Sequence, residues 1–179
     1  MTQNFNVSKN HFQLFGLTEA FQLDTAQLEL NYRALQAQVH PDKSAHLSDA
    51  EQRLAMQRST LVNEAYQILR SPIRRARYLL SLQGVDTQEE TNTAMPIDFL
   101  MAQMEWREAV VDAVEARDLS ALQILEARMK VETRELEETL AVKMDAEHDY
   151  LFAAGLVRKL RFMEKLAEEI DSAYDEIDN

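Results

Sequence analysis

The sequence predicts an all-α protein. Three observations carry this. The 179 residues contain only 3 Gly and 3 Pro, so few turns are available and long helices are favoured over many short strands. Apolar residues recur at three- and four-residue spacing over long stretches, as one face of a helix requires. The punctuation that does exist, His40-Pro41-Asp42, Ser71-Pro72, Gly84 and Pro96, falls between those stretches. Apolar residues make up 46% and charged residues 28%, a globular balance with enough chain to bury a core.

Residues 9–16 form a brief apolar lead-in helix ending at Gly16, with His11 an ordinary exposed residue. Asp24 opens the next helix, with Gln27 placed to close a cap. Leu28, Tyr32, Leu35 and Val39 then form one apolar stripe. Pro41 cannot continue a helix and pushes His40 out of the helical region, so this helix ends near Val39. His40 and Asp42 are thereby expected at the tip of a helical hairpin, beside Lys43. On those residues alone the tripeptide is equally a plain helix-breaking loop.

Ser48 with Glu51 is a capping box, and Asp49 adds negative charge where the helix dipole favours it. The helix that follows carries Leu54, Leu61, Ala65 and Ile68 on one face, with Val62 and Leu69 beside it, and ends near Arg70. Ser71-Pro72 restarts the chain with a cap and a first-turn proline. A short helix runs to Gly84, with Arg74, Arg75 and Arg77 as its polar positions. Residues 85–96 lack apolar periodicity and are long for a loop within a domain. The expected organisation is therefore a domain over 1–84, a linker over 85–96 and a second domain over 97–179.

The second domain reads as three helices, 97–116, 119–144 and 147–177. The latter two carry Leu122, Leu125, Met129, Leu136, Leu140 and Met144, and then Leu156, Leu160, Met163, Ala167, Ile170, Tyr174 and Ile177, at close to heptad spacing. Such seams predict antiparallel packing at a shallow angle. Gly155 is a candidate break near the start of the last helix. The helix 97–116 is different, because it has two apolar faces. Phe99, Trp106, Val110 and Ala113 share one; Ile97, Leu100, Met101 and Met104 share the other, which turns acidic through Glu108 and Asp112, with Glu105 at its edge. The second face either packs on the N-terminal domain or stands exposed as a Met-rich patch rimmed by carboxylates, suited to a basic, partly apolar partner.

Charge narrows the function. Residues 1–89 are net neutral, and the whole net charge of −12 lies in residues 90–179. An acidic surface repels nucleic acid and anionic membranes, so neither is an expected partner. No apolar run approaches a membrane span and the N-terminus has no apolar signal core, so a soluble, cytoplasmic protein is expected. The absence of cysteine excludes structural disulfides, thiol catalysis and Cys-ligated metal or iron–sulfur sites. His11, His40, His46 and His148 are scattered without metal spacing, and no phosphate loop is present. No nucleophile is placed with a base, and the run Glu135, Glu137, Glu138 is interrupted by Leu136 and flanked by Arg134, as on a solvated helix face. No enzymatic activity, cofactor or metal site is expected.

At this point the residues resemble a known family. The first 80 or so residues look like a J-domain, through NHFQLFGL, QLDTAQLELNYRALQAQVHPDK and VNEAYQILRSPIRRARYLLSLQG. With DFLMAQMEWRE and VRKLRFMEKL, nearly the whole chain resembles the HscB co-chaperones of iron–sulfur cluster assembly. The resemblance implies a J-domain hairpin followed by a three-helix bundle. It implies that His40, Pro41 and Asp42 stimulate the ATPase of a DnaK-type chaperone, with Tyr32, Arg33 and Lys43 as further contacts. It also implies that the bundle binds the scaffold protein IscU through Leu100, Met101, Met104, Glu105, Glu108, Asp112 and Phe162. Two departures are visible. Helix 24–39 has only Arg33 as a basic residue where general J-domains carry a basic patch, which favours a specialised chaperone such as HscA. Val39 replaces an aromatic residue often found before the tripeptide, a packing change. A general DnaK co-chaperone with another client, or a coiled-coil adaptor with an incidental tripeptide, are the competing readings.

Overall fold

The computed structural model describes residues 10–39, 48–87 and 96–178. Every regular element among them is helical: α1 (His11–Phe15), α2 (Thr25–Val39), α3 (Asp49–Arg70), α4 (Pro72–Leu82), α5 (Ile97–Glu115), α6 (Leu119–Ala141), a π-helical turn (Val142–Ala146) and α7 (Tyr150–Asp178). The chain divides into two compact units, one ending at Leu79 and the other starting at Leu80, so the division falls inside α4.

In the N-terminal unit, local chemistry sets the helix ends. The Asn10 side chain accepts from the Gln13 amide at 2.9 Å, and Gln13 Oε1 accepts from the Asn10 amide at 3.3 Å. Gly16 closes α1 in the left-handed region, at φ 66°, where a side chain would be strained. Asp24 Oδ1 accepts from the Gln27 amide at 3.0 Å, but the Gln27 side chain turns away to Asn31, so only half of the expected cap forms. Glu51 accepts from both the amide and the hydroxyl of Ser48, opening α3. Glu29 meets Tyr66 and Tyr32 meets Asn63, in opposite order along the two helices, so α2 and α3 run antiparallel.

The core of this unit uses Leu28 and Leu35 of α2, as the stripe predicts. On α3 the buried face is Val62, Ala65, Tyr66 and Leu69, while Leu54 is exposed and Leu61 and Ile68 are only half-buried. The expected face is therefore rotated. The cause is Tyr66, whose ring stacks on Tyr32 with centroids 4.0 Å apart and draws its own side of the helix inward.

Arg75 also departs from expectation. It is 6% exposed, its Nε donates to the Phe21 carbonyl at 2.8 Å, and Nη1 donates to the Leu69 carbonyl at 2.6 Å. Leu69 lies in the last turn of α3, whose carbonyls have no partner within the helix. A cation there is favoured by the dipole as well. His11 is not an ordinary exposed residue either. Its ring stacks on Tyr78 with centroids 4.2 Å apart, its amide donates to the Tyr78 hydroxyl at 3.0 Å, and burial lowers its pKa against an opposing pull from Glu64.

The C-terminal unit is a bundle of α5, α6 and α7. Its core joins Phe99, Trp106, Val110 and Ala113 of α5 to Leu122 and Met129 of α6, and to Phe162, Met163, Leu166 and Ile170 of α7. Asp118 caps α6 by accepting from the Ala121 amide at 3.0 Å. The expected helix 119–144 stops at Ala141 and widens into the π turn, and His148, at φ 55°, redirects the chain into α7. Gly155 does not break α7. The buried neighbours Ala153, Ala154, Leu156 and Val157 hold the helix through it, outweighing a glycine penalty of about 1 kcal/mol.

Candidate functional site

The outer face of α5 is the first candidate surface. Its inner face buries Phe99, Trp106, Val110 and Ala113, the four residues the spacing selects. The opposite face is open: Leu100 is 41% exposed, Met101 57% and Met104 71%, with Ile97 continuing the patch at the start of the helix. Glu105, Glu108 and Asp112 are exposed and follow it toward the C-terminal end of α5. Six of the seven residues expected to bind the scaffold thus share one helix face.

Phe162 does not join them at the surface. It is 6% exposed and belongs to the bundle core. Its ring meets Phe99 edge-on, centroids 5.7 Å apart, and the Arg107 guanidinium sits over it at 5.6 Å. Phe162 lies on the inward side of α7, so it supports Phe99 from within. Sequence reasoning also left out Val111, which is 52% exposed. Its signal was present, since it stands seven residues after Met104 on the same side of α5.

The second candidate surface is the α2–α3 hairpin. Tyr32 is half-buried against Tyr66; its hydroxyl donates to Asn63 Oδ1 at 3.1 Å and accepts from Gln36 Nε2 at 2.9 Å. Arg33 is exposed and ion-paired with Glu29, Nε to Oε1 2.8 Å. Glu29 also accepts from the Tyr66 hydroxyl. That hydrogen bond first, and Arg33 second, lower the Glu29 pKa, while the Tyr66 hydroxyl is raised. Exposed Leu30 lies beside this pair on α2 and was not among the expected contacts. His40, Pro41, Asp42 and Lys43 lie outside the described residues. Among the described residues no group of three or more His, Asp or Glu side chains is gathered to hold a metal ion, and no helix is long and apolar enough to cross a membrane.

Comparison with known proteins tests this picture over both units. Residues 10–78 match the DnaJ domain, and residues 95–171 match the HSCB C-terminal oligomerisation domain. The "Co-chaperone protein HscB homolog" of Chromobacterium violaceum is 53% identical over 174 residues, 97% of this chain and 98% of that one. The chain belongs to the HscB family of co-chaperones. Solved HscB structures agree. Chaperone HscB from Vibrio cholerae superposes with a TM-score of 0.87 at 39% identity, covering 93% of this chain and 98% of that one. Human co-chaperone HscB gives 0.88 at 31% identity, covering 94% and 84%. The HscB architecture, a J-domain followed by a helical C-terminal domain, is thus the fold of this chain. Membership carries a co-chaperone's role in iron–sulfur cluster assembly. A J-domain in turn implies a chaperone partner of the Hsp70 class.

Proposed function

We propose that this HscB protein brings an IscU-type iron–sulfur scaffold to a specialised, HscA-type ATPase chaperone in the cytoplasm, without chemistry of its own. The observation that carries the reading is the divided α5 helix. One face is in the core, and the other holds Leu100, Met101 and Met104 in the open beside Glu105, Glu108 and Asp112. Exposed methionines suit an adaptable interface, and carboxylates at its rim select a basic partner. Phe162 serves this surface indirectly, by packing against Phe99 in the core and lying under the half-exposed Arg107 guanidinium.

In the J-domain, His40, Pro41 and Asp42 contact the ATPase, with Tyr32, Arg33 and Lys43 as further contacts. The Arg33–Glu29 pair leaves the described part of α2 close to neutral, which supports a specialised chaperone over a general one that reads a basic patch. A co-chaperone shifts a two-state ATPase only by binding its two states unequally; we infer that this one prefers the ATP-bound state. The working limits are a J-domain to residue 84, a joint over 85–96 and a scaffold-binding bundle from 97. The interval 79–94 between the two matched regions supports that joint.

The test uses the full chain with an HscA-type chaperone and an IscU-type scaffold. His40→Gln should abolish ATPase stimulation with an unchanged helical circular-dichroism signal. Met101→Ala with Met104→Ala should weaken scaffold binding by about tenfold, in the range of exposed interface anchors, and leave scaffold-free stimulation intact. Normal stimulation by the first variant overturns the chaperone contact, and unchanged scaffold affinity in the second overturns the scaffold surface. Scaffold binding should also weaken with rising salt, since exposed carboxylate contacts are screened.

A further inference from the structure

Beside the patch, α5 and α7 enclose an open groove of about 760 Å³. Val110, Val111, Val114 and Ala173 are its apolar lining. Glu115, Glu168, Glu169 and Glu176 line it as well, with Arg107 and Lys165, and Arg107 is paired with Glu169, Nε to Oε1 3.4 Å. The groove therefore combines apolar surface with a net acidic charge. It is also continuous with the patch. Leu100, Met104, Arg107 and Val111 follow one another at i, i+4, i+7 and i+11 along one side of α5. At 1.5 Å per residue this stripe is about 16 Å long. An ordinary interface of about 800 Å² per partner is roughly 30 Å across and would reach both ends.

We propose that the scaffold contact does not stop at Met104 but continues into the α5/α7 groove, which receives an apolar scaffold segment bearing basic side chains. This rests on the scaffold reading of the α5 patch. Charge decides the occupant. The C-terminal half carries the whole net −12 of the chain and the groove lining adds four carboxylates to two cations, so a nucleic acid or an anionic membrane is repelled there. A cationic protein segment is attracted. Arg107 marks the passage from patch to groove, with its guanidinium over Phe162 and its Nε toward Glu169. Val111, more than half exposed, is the apolar contact on the groove side.

The experiment titrates the full chain with an IscU-type scaffold by calorimetry, at low and moderate salt. Val111→Arg should weaken binding at least tenfold and Val111→Ala about threefold. Glu168→Lys with Glu176→Lys should weaken it and flatten the salt dependence. Val131→Arg, at a similarly exposed valine of α6 that does not line the groove, should change nothing. Met101→Ala with Met104→Ala is titrated alongside. Affinity within twofold of the parent for the Val111 and Glu168/Glu176 variants overturns the groove contact; if the Met101/Met104 variant is still weakened, the scaffold reading of the patch survives alone. If that variant is also unchanged, both fall. Sedimentation of the chain by itself completes the test: a self-associated species lost in Val111→Arg, with scaffold affinity unchanged, assigns the groove to a second copy and overturns the proposal.

Discussion

Phe162→Ala separates core from surface in the bundle. The ring is 6% exposed, meets Phe99 edge-on at 5.7 Å, and lies under the Arg107 guanidinium at 5.6 Å. Removing a buried phenylalanine ring costs about 3–5 kcal/mol, through lost transfer energy and the cavity left behind. The edge-on pair accounts for about 1 kcal/mol of that. The cation over the ring adds at most about 1 kcal/mol more, because Arg107 is half-exposed. About 4 kcal/mol is the expected loss. Met104→Ala, at a residue 71% exposed, should stay within about 0.5 kcal/mol of the parent. The assay is built into the chain: Trp106 is the single tryptophan and lies in the same core as Phe162, so its fluorescence follows unfolding where the perturbation acts. With a urea slope of about 2 kcal/mol per molar, the midpoint should fall by about 2 M for Phe162→Ala and hardly move for Met104→Ala. Phe162→Leu, which keeps most of the volume, should lose about 1.5 kcal/mol or less. A loss below about 1 kcal/mol for Phe162→Ala would show that the ring does not hold the core together.

Arg75→Ala should destabilise the N-terminal unit by about 2–4 kcal/mol, because the Phe21 and Leu69 carbonyls lose a charged donor in a buried site. Arg75→Lys should recover no more than half of this in urea denaturation followed by far-ultraviolet circular dichroism, which reports the helices of both units, since an ammonium cannot span both acceptors as the guanidinium does. Gly155→Ala should stabilise α7 by about 0.5–1 kcal/mol: a methyl group there meets only Arg158 Nη2 at 3.7 Å, an ordinary contact, and the backbone is helical. A drop in thermal midpoint would contradict it. Burial holds the His11 pKa below its ordinary 6.5, so the unfolded chain takes up a proton before the folded one. Stability should be full above about pH 6.5 and fall as the pH drops below it. His11→Phe, which keeps a ring against Tyr78, should flatten that part of the curve; an identical pH profile in parent and variant would refute it.

Much of the fold was legible because it rests on short-range rules. The cap at Ser48, the Asp24 half of its expected cap, the stop at Gly16 and the inner face of α5 all follow from residues near one another in the chain. The exposed patch was legible only as an alternative. Two apolar faces on one helix can mean two buried faces, and the sequence contains no direct measure of which face is covered. The rotation of α3 was not legible, since it depends on Tyr66 meeting Tyr32 from another helix. Nor was the burial of Arg75, because the carbonyls that hold it are brought there by Phe21 and Leu69.

The sequence by itself determined the all-α class, the helix limits to within a few residues, the concentration of charge in the second half and the division of α5 into two faces. These follow from helical period, capping chemistry and side-chain type, which act locally and survive in any packing. Tertiary structure alone decided which apolar face is left open, that Phe162 lies in the core beneath Arg107, and that the Leu100–Met104 stripe runs on through Val111 into an acidic groove. Burial and cavities are properties of helices set against one another, and residues far apart in the chain, such as Val111 and Glu168, acquire a common surface only when those helices pack.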